Sequence, residues 1–390
     1  MENLTIKNFG PIASANIDFG DLTLFVGPQA SGKSILLQLL KLIIDKESIP
    51  AILDLNNYEW SKSKSKLLEL FFGEAMAFIW NEKTKIRFNN EPFNIASIVN
   101  EALPSGKKSI KEKLFYVPAQ RVVTMAQGWP RAFSTFDIGD PFVLKQFSET
   151  VRTLMEKETS KILGSDGQVF PKPGRIKEPL RNMLDESIFH GGEIISDENS
   201  LKKRFVMNVA GSSLPFMTWS AGQKEFMPLL LSFYHLIPST KAPLRDNIKW
   251  VIVEEPEMGL HPRAIESIMV VFLELLARGY KVIVSTHTPV LLELAWAIKY
   301  VKEYNGTADD LFELFSLPKN ASLQKVFETV IKNKTFNTYY FNLGESGATV
   351  QDISSLDAAS DDISISNWGG LSEFGGKASN VVSKLVANAI

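Results

Sequence analysis

Hydrophobic and polar residues alternate along the first part of the chain, as they do in half-buried β-strands. Three strand-like segments are separated by glycine-containing turns: residues 4–8, 15–19 and 22–26. The third segment is an apolar run interrupted only by Thr23, and residues 35–44 after it have helical spacing. The pattern predicts an N-terminal antiparallel β element that ends in a buried strand followed by a helix.

The pattern becomes mainly helical in the next part of the chain. Helical spacing covers residues 66–80, 95–102 and 142–163. Short strand-like runs occupy residues 84–88 and 114–117, and glycine and proline mark a connector over residues 164–179. We predict an inserted, mainly helical lobe over residues 51–200 that includes the buried strand 114–117.

Strand patterns return after residue 200. Residues 203–209 and 214–219 alternate around a polar turn, which predicts a β-hairpin leading into a helix that begins near Ser220. Two later apolar runs flank a helical segment at residues 263–278: residues 249–253 and 281–284. A strand–helix–strand unit implies parallel strands, so we expect an α/β fold with a mixed sheet.

This pattern divides the chain into four parts. Residues 1–50 and 201–300 are expected to form the two halves of one head. The helical lobe lies between them, and residues 301–390 are expected to form a C-terminal α/β extension.

Composition excludes several classes of site. The 390 residues are 45% hydrophobic, which is enough for a large buried core. There is no cysteine, which excludes disulfides and cysteine-ligated metals, and the four histidines are scattered. The N-terminus lacks the features of a secretory signal, and the uncharged, mainly apolar stretch at residues 226–240 is shorter than the roughly 18 residues of a membrane span. We expect a cytoplasmic protein with no membrane partner.

The net charge of −2 argues against a surface coated with positive charge for indiscriminate DNA binding. Local clusters of lysine and arginine leave DNA contact open, with solvated loop or helix faces as the alternative interpretation. The clusters are Lys62/Lys64/Lys66, Lys107/Lys108/Lys111/Lys113, Lys172/Arg175/Lys177/Arg181 and Lys202/Lys203/Arg204.

The segment between the third strand and the first helix indicates phosphate binding. Residues 27–34 read GPQASGKS and fit the pattern G-x-x-x-x-G-K-[ST]. Glycines let backbone N–H groups and the helix N-terminus face phosphate oxygens, while Lys33 reaches the β- and γ-phosphates and Ser34 ligates Mg²⁺. We predict a nucleoside triphosphate site formed by Gly27, Gln29, Ala30, Ser31, Gly32, Lys33, Ser34 and Ile35.

Further polar residues follow the two later strands. Glu254 and Glu255 end the first of them, at the sheet edge where ligands gather. We assign Glu254 to the metal and Glu255 to the attacking water, the alternative being a pair that caps the following turn. His287 ends the next strand and is expected to reach the γ-phosphate from the far side. Glu255, His287 and Lys33 are the predicted catalytic residues.

Taken together, these residues resemble the ATP-binding-cassette (ABC) ATPases of the branch that includes the chromosome-maintenance (SMC), Rad50 and RecF proteins. Residues 4–9 look like the opening strand of that branch. The other matching motifs are residues 27–34 as Walker A, 220–223 as signature, 254–255 as Walker B, 259–262 as D-loop and His287 as switch histidine. The resemblance implies an ABC-type P-loop NTPase head that uses ATP and Mg²⁺.

Two segments narrow the resemblance. Residues 116–121 and 254–262 look most like the compact OLD-like group, many of whose members serve in bacterial anti-phage systems such as Septu, Gabija and PARIS. Three positions depart from the usual cassette pattern: Glu254 for aspartate, Ala221 in the signature, and Gln29-Ala30 for Asn-Gly. Gln120 is assigned to the metal as the Q-loop residue, with a loop amide as the alternative, and Arg121 is left out of the predicted site.

The resemblance also implies an assembly. Ser220, Gly222 and Gln223 would cap the γ-phosphate held by a second copy, so ATP would join a head-to-tail homodimer or a higher oligomer. The expected function is an ATPase whose dimerisation senses a trigger and controls a separate effector, a nuclease being the leading expectation. The alternative is a RecF- or Rad50-like DNA-binding ATPase in repair, and a transporter motor is disfavoured.

The C-terminal residues suggest no second active site. They are too few for the nuclease domain of OLD proteins, and four aspartates among serines are expected to form a solvated loop: Asp352, Asp357, Asp361 and Asp362. The apolar final segment, residues 379–390, is expected to cover the core, with docking of a partner as the alternative.

Overall fold

The computed structural model describes residues 2–100, 111–157, 167–197, 203–237, 244–245 and 247–387. Its first strands are β1 (Glu2–Phe9), β2 (Ile12–Phe19), β3 (Leu22–Val26), β4 (Trp80–Phe88), β5 (Glu91–Phe93), β6 (Leu114–Val117), β7 (Met125–Ala126) and β8 (Trp129–Pro130). The later strands are β9 (Gln168–Phe170), β10 (Glu193–Asp197), β11 (Arg204–Val209), β12 (Ser212–Pro215), β13 (Trp250–Glu254), β14 (Lys281–Ser285), β15 (Phe336–Gly344) and β16 (Gly347–Asp352).

The α-helices in the first half are α1 (Lys33–Ile44), α2 (Ser48–Leu55), α3 (Lys64–Phe72), α4 (Ile95–Asn100), α5 (Phe142–Lys157) and α6 (Glu178–Leu184). Those in the second half are α7 (Ala221–Leu236), α8 (Pro262–Arg278), α9 (Pro289–Glu303), α10 (Ala308–Leu314), α11 (Ala321–Asn333), α12 (Ile363–Ser366) and α13 (Glu373–Ala387). In the described ranges, no helix is both long and apolar enough to cross a bilayer.

A mixed sheet lies at the centre of the fold. Over the described residues it has ten strands in the order β5-β4-β1-β2-β16-β15-β3-β14-β13-β6. β3, β14, β13 and β6 are adjacent and parallel, so their carboxyl ends share one edge. The predicted α/β fold with a mixed sheet is confirmed.

The strand before the phosphate loop is buried on both faces of this sheet. Leu22, Leu24 and Val26 of β3 pack into one core, whereas Phe25 packs into the other. Successive side chains of a strand point to opposite faces, so a parallel strand covered by helices on both sides must be apolar at nearly every position. This explains why four of the five residues of β3 are apolar, and the one polar side chain, Thr23, is buried as well.

The predicted helix over residues 66–80 is wrong in its second half. α3 ends at Phe72, because Gly73 has a φ of 119°, a conformation that L residues rarely adopt. The chain then makes a 3₁₀ turn at Met76–Ile79 and enters β4 at Trp80. β4 pairs with β1 in antiparallel register, Leu4 opposite Phe88.

The lobe expected to be mainly helical also supplies strands. β4, β5 and β6 belong to the central sheet, and β9 and β10 join β11 and β12 in a second sheet of the described chain. Periodicity alone did not show these pairings, because the partner strands are distant in sequence. The predicted helix over residues 142–163 is observed as α5, and its residues 158–163 lie outside the described part.

Residues 301–390, expected to be an extension, supply two strands to the middle of the central sheet. β15 runs parallel to β3, from Phe336 opposite Leu22 to Tyr340 opposite Val26. β16 lies between β15 and β2. At Gly27, a Cβ would lie 2.7 Å from the carbonyl oxygen of Phe341, so glycine is required where β15 passes the phosphate loop.

The final helix does not cover the core, contrary to the expectation for residues 379–390. No residue of α13 is buried, and the Phe374 side chain is 82% exposed. Residues 388–390 of that segment lie outside the described part of the chain. Docking of a partner on this helix stays a prediction.

Candidate functional site

The phosphate loop links the carboxyl end of β3 to the N-terminus of α1. Three of its residues have positive φ: Gly27 at 144°, Ala30 at 59° and Gly32 at 93°. A Cβ on Gly32 would lie 2.9 Å from Pro11 Cγ, so the close approach of the β1–β2 turn also requires glycine. The first turn of α1 has no acidic residue, which leaves the positive end of the helix dipole available for an anion.

Residues of this loop differ in exposure. Gln29 and Ala30 are exposed at its tip, and Ser34 is exposed at the start of α1. Ser31, Gly32 and Lys33 are buried, and Ile35 is half-buried. The hydroxyl of Ser31 donates to the carbonyl oxygen of Pro28 at 2.8 Å, which holds the curled backbone.

Lys33 lies within the curl of its own loop. Its Nζ donates to the carbonyl oxygens of Gly27 and Pro28, each at 2.8 Å. Burial lowers the pKa of Lys33 to about 8, against the opposing attraction of Glu255, Glu254 and Glu257. Phosphate oxygens would strengthen the charged form of this side chain, so the residues present fit a polyphosphate.

Glu254 ends β13 as a buried carboxylate. Its Oε2 accepts the backbone N–H of Ala119 at 3.3 Å, and its Oε1 is buried without a hydrogen bond to the described residues. Burial raises the pKa of Glu254, and the hydroxyls of Ser34 and Tyr116 oppose that rise. A buried carboxylate oxygen without a partner, near a serine hydroxyl, fits Mg²⁺, which prefers oxygen ligands.

The side chains of Glu255 and His287 lie close together at the partly exposed side of the site. The parallel register places Glu254 opposite Ser285, so the residues that follow β13 and β14 are neighbours. The Nε2 of His287 is 3.4 Å from Glu255 Oε1, and both side chains are about 30% exposed. Glu255 has a φ of 43°, and its N–H donates to Ser285 O at 2.9 Å.

Sequence reasoning missed Glu257. Its Oε1 accepts the hydroxyl of Thr286 at 2.7 Å and the backbone N–H of His287 at 2.6 Å. Its Oε2 is also buried without a partner in the described residues. An acidic residue in the turn after the two glutamates was the available signal, but the contact depends on the β13–β14 register.

Sequence reasoning also left out Arg121, which begins the 3₁₀ turn Arg121–Thr124 after β6. Its side chain is fully buried and donates to three backbone carbonyl groups, those of Glu225, Glu254 and Glu255. Gln120 beside it is exposed and forms no side-chain hydrogen bond with the described residues. Its assignment to the metal stays a prediction.

The signature segment starts α7 with a reciprocal cap. Ser220 Oγ accepts the N–H of Gln223 at 3.3 Å, and Gln223 Oε1 accepts the N–H of Ser220 at 3.1 Å. A Cβ on Gly222 would lie 2.6 Å from the carbonyl oxygen of Gly259, so the signature packs closely on the turn after Glu255. Ser220 is exposed, and no hydrogen bond among the described residues joins this turn to the phosphate loop.

The other candidate groups have local roles. Oδ1 of Asp352, Asp357 and Asp362 accepts backbone N–H groups two residues farther on. In the basic clusters, Lys66 pairs with Glu59, Lys177 with Glu274 and Arg204 with Asp197. Lys107, Lys108 and Lys202 lie outside the described residues.

Two family models match the chain. Residues 1–173 match the AAA ATPase domain family, and residues 134–293 match a family described as AAA domain, putative AbiEii toxin, Type IV TA system. The Old nuclease of Escherichia phage P2 is 32% identical over 88 residues, which are 22% of this chain and 15% of that protein. The chain therefore matches only a small part of the length of that relative.

The solved structures that align with the chain include SMC heads. An SMC head bound to the C-winged helix domain of ScpA aligns with a TM-score of 0.42 and 12% identity, covering 90% of this chain and 97% of that one. The SMC head domain from Thermotoga maritima aligns with a TM-score of 0.36 and 13% identity, with the same shares of each chain covered.

The parallel strands, the glycine-rich loop between β3 and α1, and the carboxylates at the same sheet edge define a P-loop ATPase. The two family matches and the match to the Old nuclease agree with this class and with the resemblance to ABC-type, OLD-like ATPases inferred from the sequence. The resemblance inferred from the sequence is confirmed, as is the assignment to the ATPases.

Proposed function

We propose that the protein hydrolyses ATP in a homodimer, with each triphosphate held between the phosphate loop of one copy and residues 220–223 of the other. The observation that carries this proposal is the exposed, capped N-terminus of α7, which has no hydrogen bond to its own phosphate loop in the described chain. A helix N-terminus with a serine hydroxyl and a glycine backbone is a suitable anion site. In the proposed homodimer, this anion is the γ-phosphate of the ATP held by the phosphate loop of the second copy.

Residues of one copy perform most of the chemistry. Lys33 and the N-terminus of α1 bind the phosphates, and Ser34 and Glu254 hold Mg²⁺, which neutralises phosphate charge. Glu255 orients the attacking water, and His287 contacts the γ-phosphate region from the neighbouring strand. Hydrolysis removes the group that joins the two copies, so ATP turnover opens the pair.

Association in the presence of ATP tests the pairing. We expect Ser220→Arg to bind ATP as the wild type does but to remain monomeric in sedimentation with ATP. A mixture of Ser220→Arg with Lys33→Ala contains one intact composite site, the loop coming from the first chain and residues 220–223 from the second. It should associate although neither variant does so alone.

Ser63→Arg is the matched control, since Ser63 caps α3 through the same kind of hydrogen bond, to the N–H of Lys66. This control should associate normally. Wild-type association by Ser220→Arg, or a mixture that stays monomeric, would contradict the proposed pairing.

We further propose that the pair controls a separate effector in anti-phage defence, with a nuclease as the effector class. The toxin and toxin–antitoxin wording of one matching family and the nuclease name of the phage P2 relative support this proposal. The alternative, a DNA-binding ATPase in repair, has less support, because several of the basic side chains are paired with acidic ones.

Coexpression with the product of the neighbouring gene tests the effector proposal. That product should copurify with the ATPase, and its nuclease activity should differ between Lys33→Ala and Glu255→Gln backgrounds. If instead the ATPase alone binds duplex DNA in an ATP- and salt-dependent manner and ignores that product, the repair function is favoured.

A further inference from the structure

We propose that Arg121 is a positioning residue that fixes the backbone of Glu255 in its own chain and anchors it to α7. The guanidinium donates from Nη1 to Glu254 O at 3.1 Å and from Nη2 to Glu255 O at 3.2 Å. Its Nε donates to Glu225 O, in the second turn of α7, at 3.0 Å. This inference rests on the role of Glu255 proposed above.

The backbone of Glu255 requires such support. A φ of 43° places this glutamate in the left-handed region, which is unfavourable for a residue with a Cβ. Carbonyl groups on both sides of the residue are held by one planar guanidinium, and this fixes the direction in which its side chain leaves the backbone. The carboxylate is thereby kept 3.4 Å from His287 Nε2.

The charge of Arg121 suits the same role. Burial lowers the pKa of Arg121, and four carboxylates oppose this effect by their negative charge: Glu225, Glu257, Glu255 and Glu254. Arginine stays charged in proteins, so it offsets the repulsion between Glu254 and Glu255. A lysine would keep the charge but would lack the planar set of donors that reaches three carbonyl groups.

Arg121→Lys separates positioning from nucleotide binding. We expect ATP affinity within about twofold of wild type and kcat lower by on the order of 10- to 100-fold, because a misplaced reacting group has effects of this size. Arg131→Lys is the control, since Arg131 also donates to backbone carbonyls, those of Val123 and Thr135, away from the carboxylates. It should retain wild-type kcat. Equal loss of affinity and kcat, or unchanged kcat in Arg121→Lys, would overturn the proposal.

Mixed assemblies show in which chain Arg121 acts. In a mixture of Arg121→Lys with excess Lys33→Ala, each Arg121→Lys chain pairs with a Lys33→Ala chain. The Arg121→Lys chain binds ATP at its own phosphate loop and receives residues 220–223 from the partner, which retains Arg121. This mixture should be slow, whereas wild type mixed with excess Lys33→Ala/Arg121→Lys should match wild type mixed with excess Lys33→Ala. Loss of activity only in the second mixture would contradict an action on the Glu255 of the same chain.

The two proposals fail differently. If wild type and Lys33→Ala do not associate with ATP, the proposed pairing is wrong. The comparison of kcat with ATP affinity in Arg121→Lys alone still tests the role of Arg121.

Urea unfolding shows whether Arg121→Lys folds. If it does not, Glu225→Gln tests the ion pair that helps to hold Arg121 against α7, since it removes the charge of the carboxylate whose Oε2 lies 3.6 Å from Arg121 Nε. We expect about a threefold lower kcat with unchanged affinity, and an unchanged kcat would contradict the proposal.

Discussion

The carboxylate of Glu257 accepts the backbone N–H of His287 at 2.6 Å, and so joins the turn after β13 to the turn after β14. The same oxygen accepts the hydroxyl of Thr286. Because the bonded group is the backbone of His287, this contact sets the position of the imidazole without occupying its ring nitrogens. Glu257 therefore belongs to the candidate site as a support for His287.

Removing this carboxylate should slow turnover without weakening nucleotide binding. We expect Glu257→Ala to lower kcat by roughly tenfold, because His287 loses its backbone anchor. Glu257→Gln retains an oxygen that accepts both hydrogen bonds, so its kcat should stay within about threefold of wild type. Steady-state ATPase rates and ATP titrations distinguish the two effects, and equal kcat values for the two variants would contradict this role.

Glu255→Gln should bind ATP but hydrolyse it on the order of 100-fold more slowly, since an amide does not take a proton from the attacking water. The ATP-bound pair should consequently persist. Turnover assays and sedimentation velocity measure the two effects. Wild-type turnover in this variant would refute the assignment of the carboxylate to the water.

At alkaline pH, the protein should take up a proton when it binds ATP. The pKa of Lys33 is lowered to about 8, so its amine is charged below that pH and increasingly neutral above it. Bound phosphates favour the charged amine, so affinity should fall as pH rises through 8, by at most about tenfold per pH unit. Calorimetry at pH 8.5 in buffers of different ionisation enthalpy measures the uptake.

Lys145 provides the control for that measurement. Burial also lowers its pKa to about 8, but its Nζ donates to the carbonyl oxygen of Ile138, outside the phosphate loop. Lys145→Met should therefore retain the proton uptake. Absence of uptake by the wild type at pH 8.5 would show that Lys33 does not change its charge on binding.

Gly222→Ala should destabilise the fold, because its Cβ would lie 2.6 Å from Gly259 O, where only backbone movement gives relief. We expect the free energy of unfolding to fall by about 1–3 kcal/mol, the usual cost of overpacking. Gly375→Ala, in α13 with no atom within 4 Å of the added Cβ, should be neutral or stabilising. Urea unfolding compares them, and equal stability of the two variants would contradict the close packing.

Strands that carry a local residue pattern could be predicted from the sequence, whereas pairings between strands distant in sequence could not. The runs before the phosphate loop and before Glu254 were found because an apolar segment followed by polar ligands is a local pattern. β15 was missed as a central strand, since nothing in residues 336–344 identifies β3 as its partner. The end of α3 was missed because the helical spacing continues beyond Gly73, and only the φ of that glycine stops the helix.

The sequence by itself determined the phosphate loop, the order of the motifs and the class of fold, because each depends on residue types within a few positions of one another. Only the tertiary structure decided that Arg121 holds the carbonyl group of Glu255, 134 residues away, and that Glu257 supports His287. Contacts of this kind depend on strand order and register. They leave no periodic signal in the segments they join, and the folded chain alone brings those segments together.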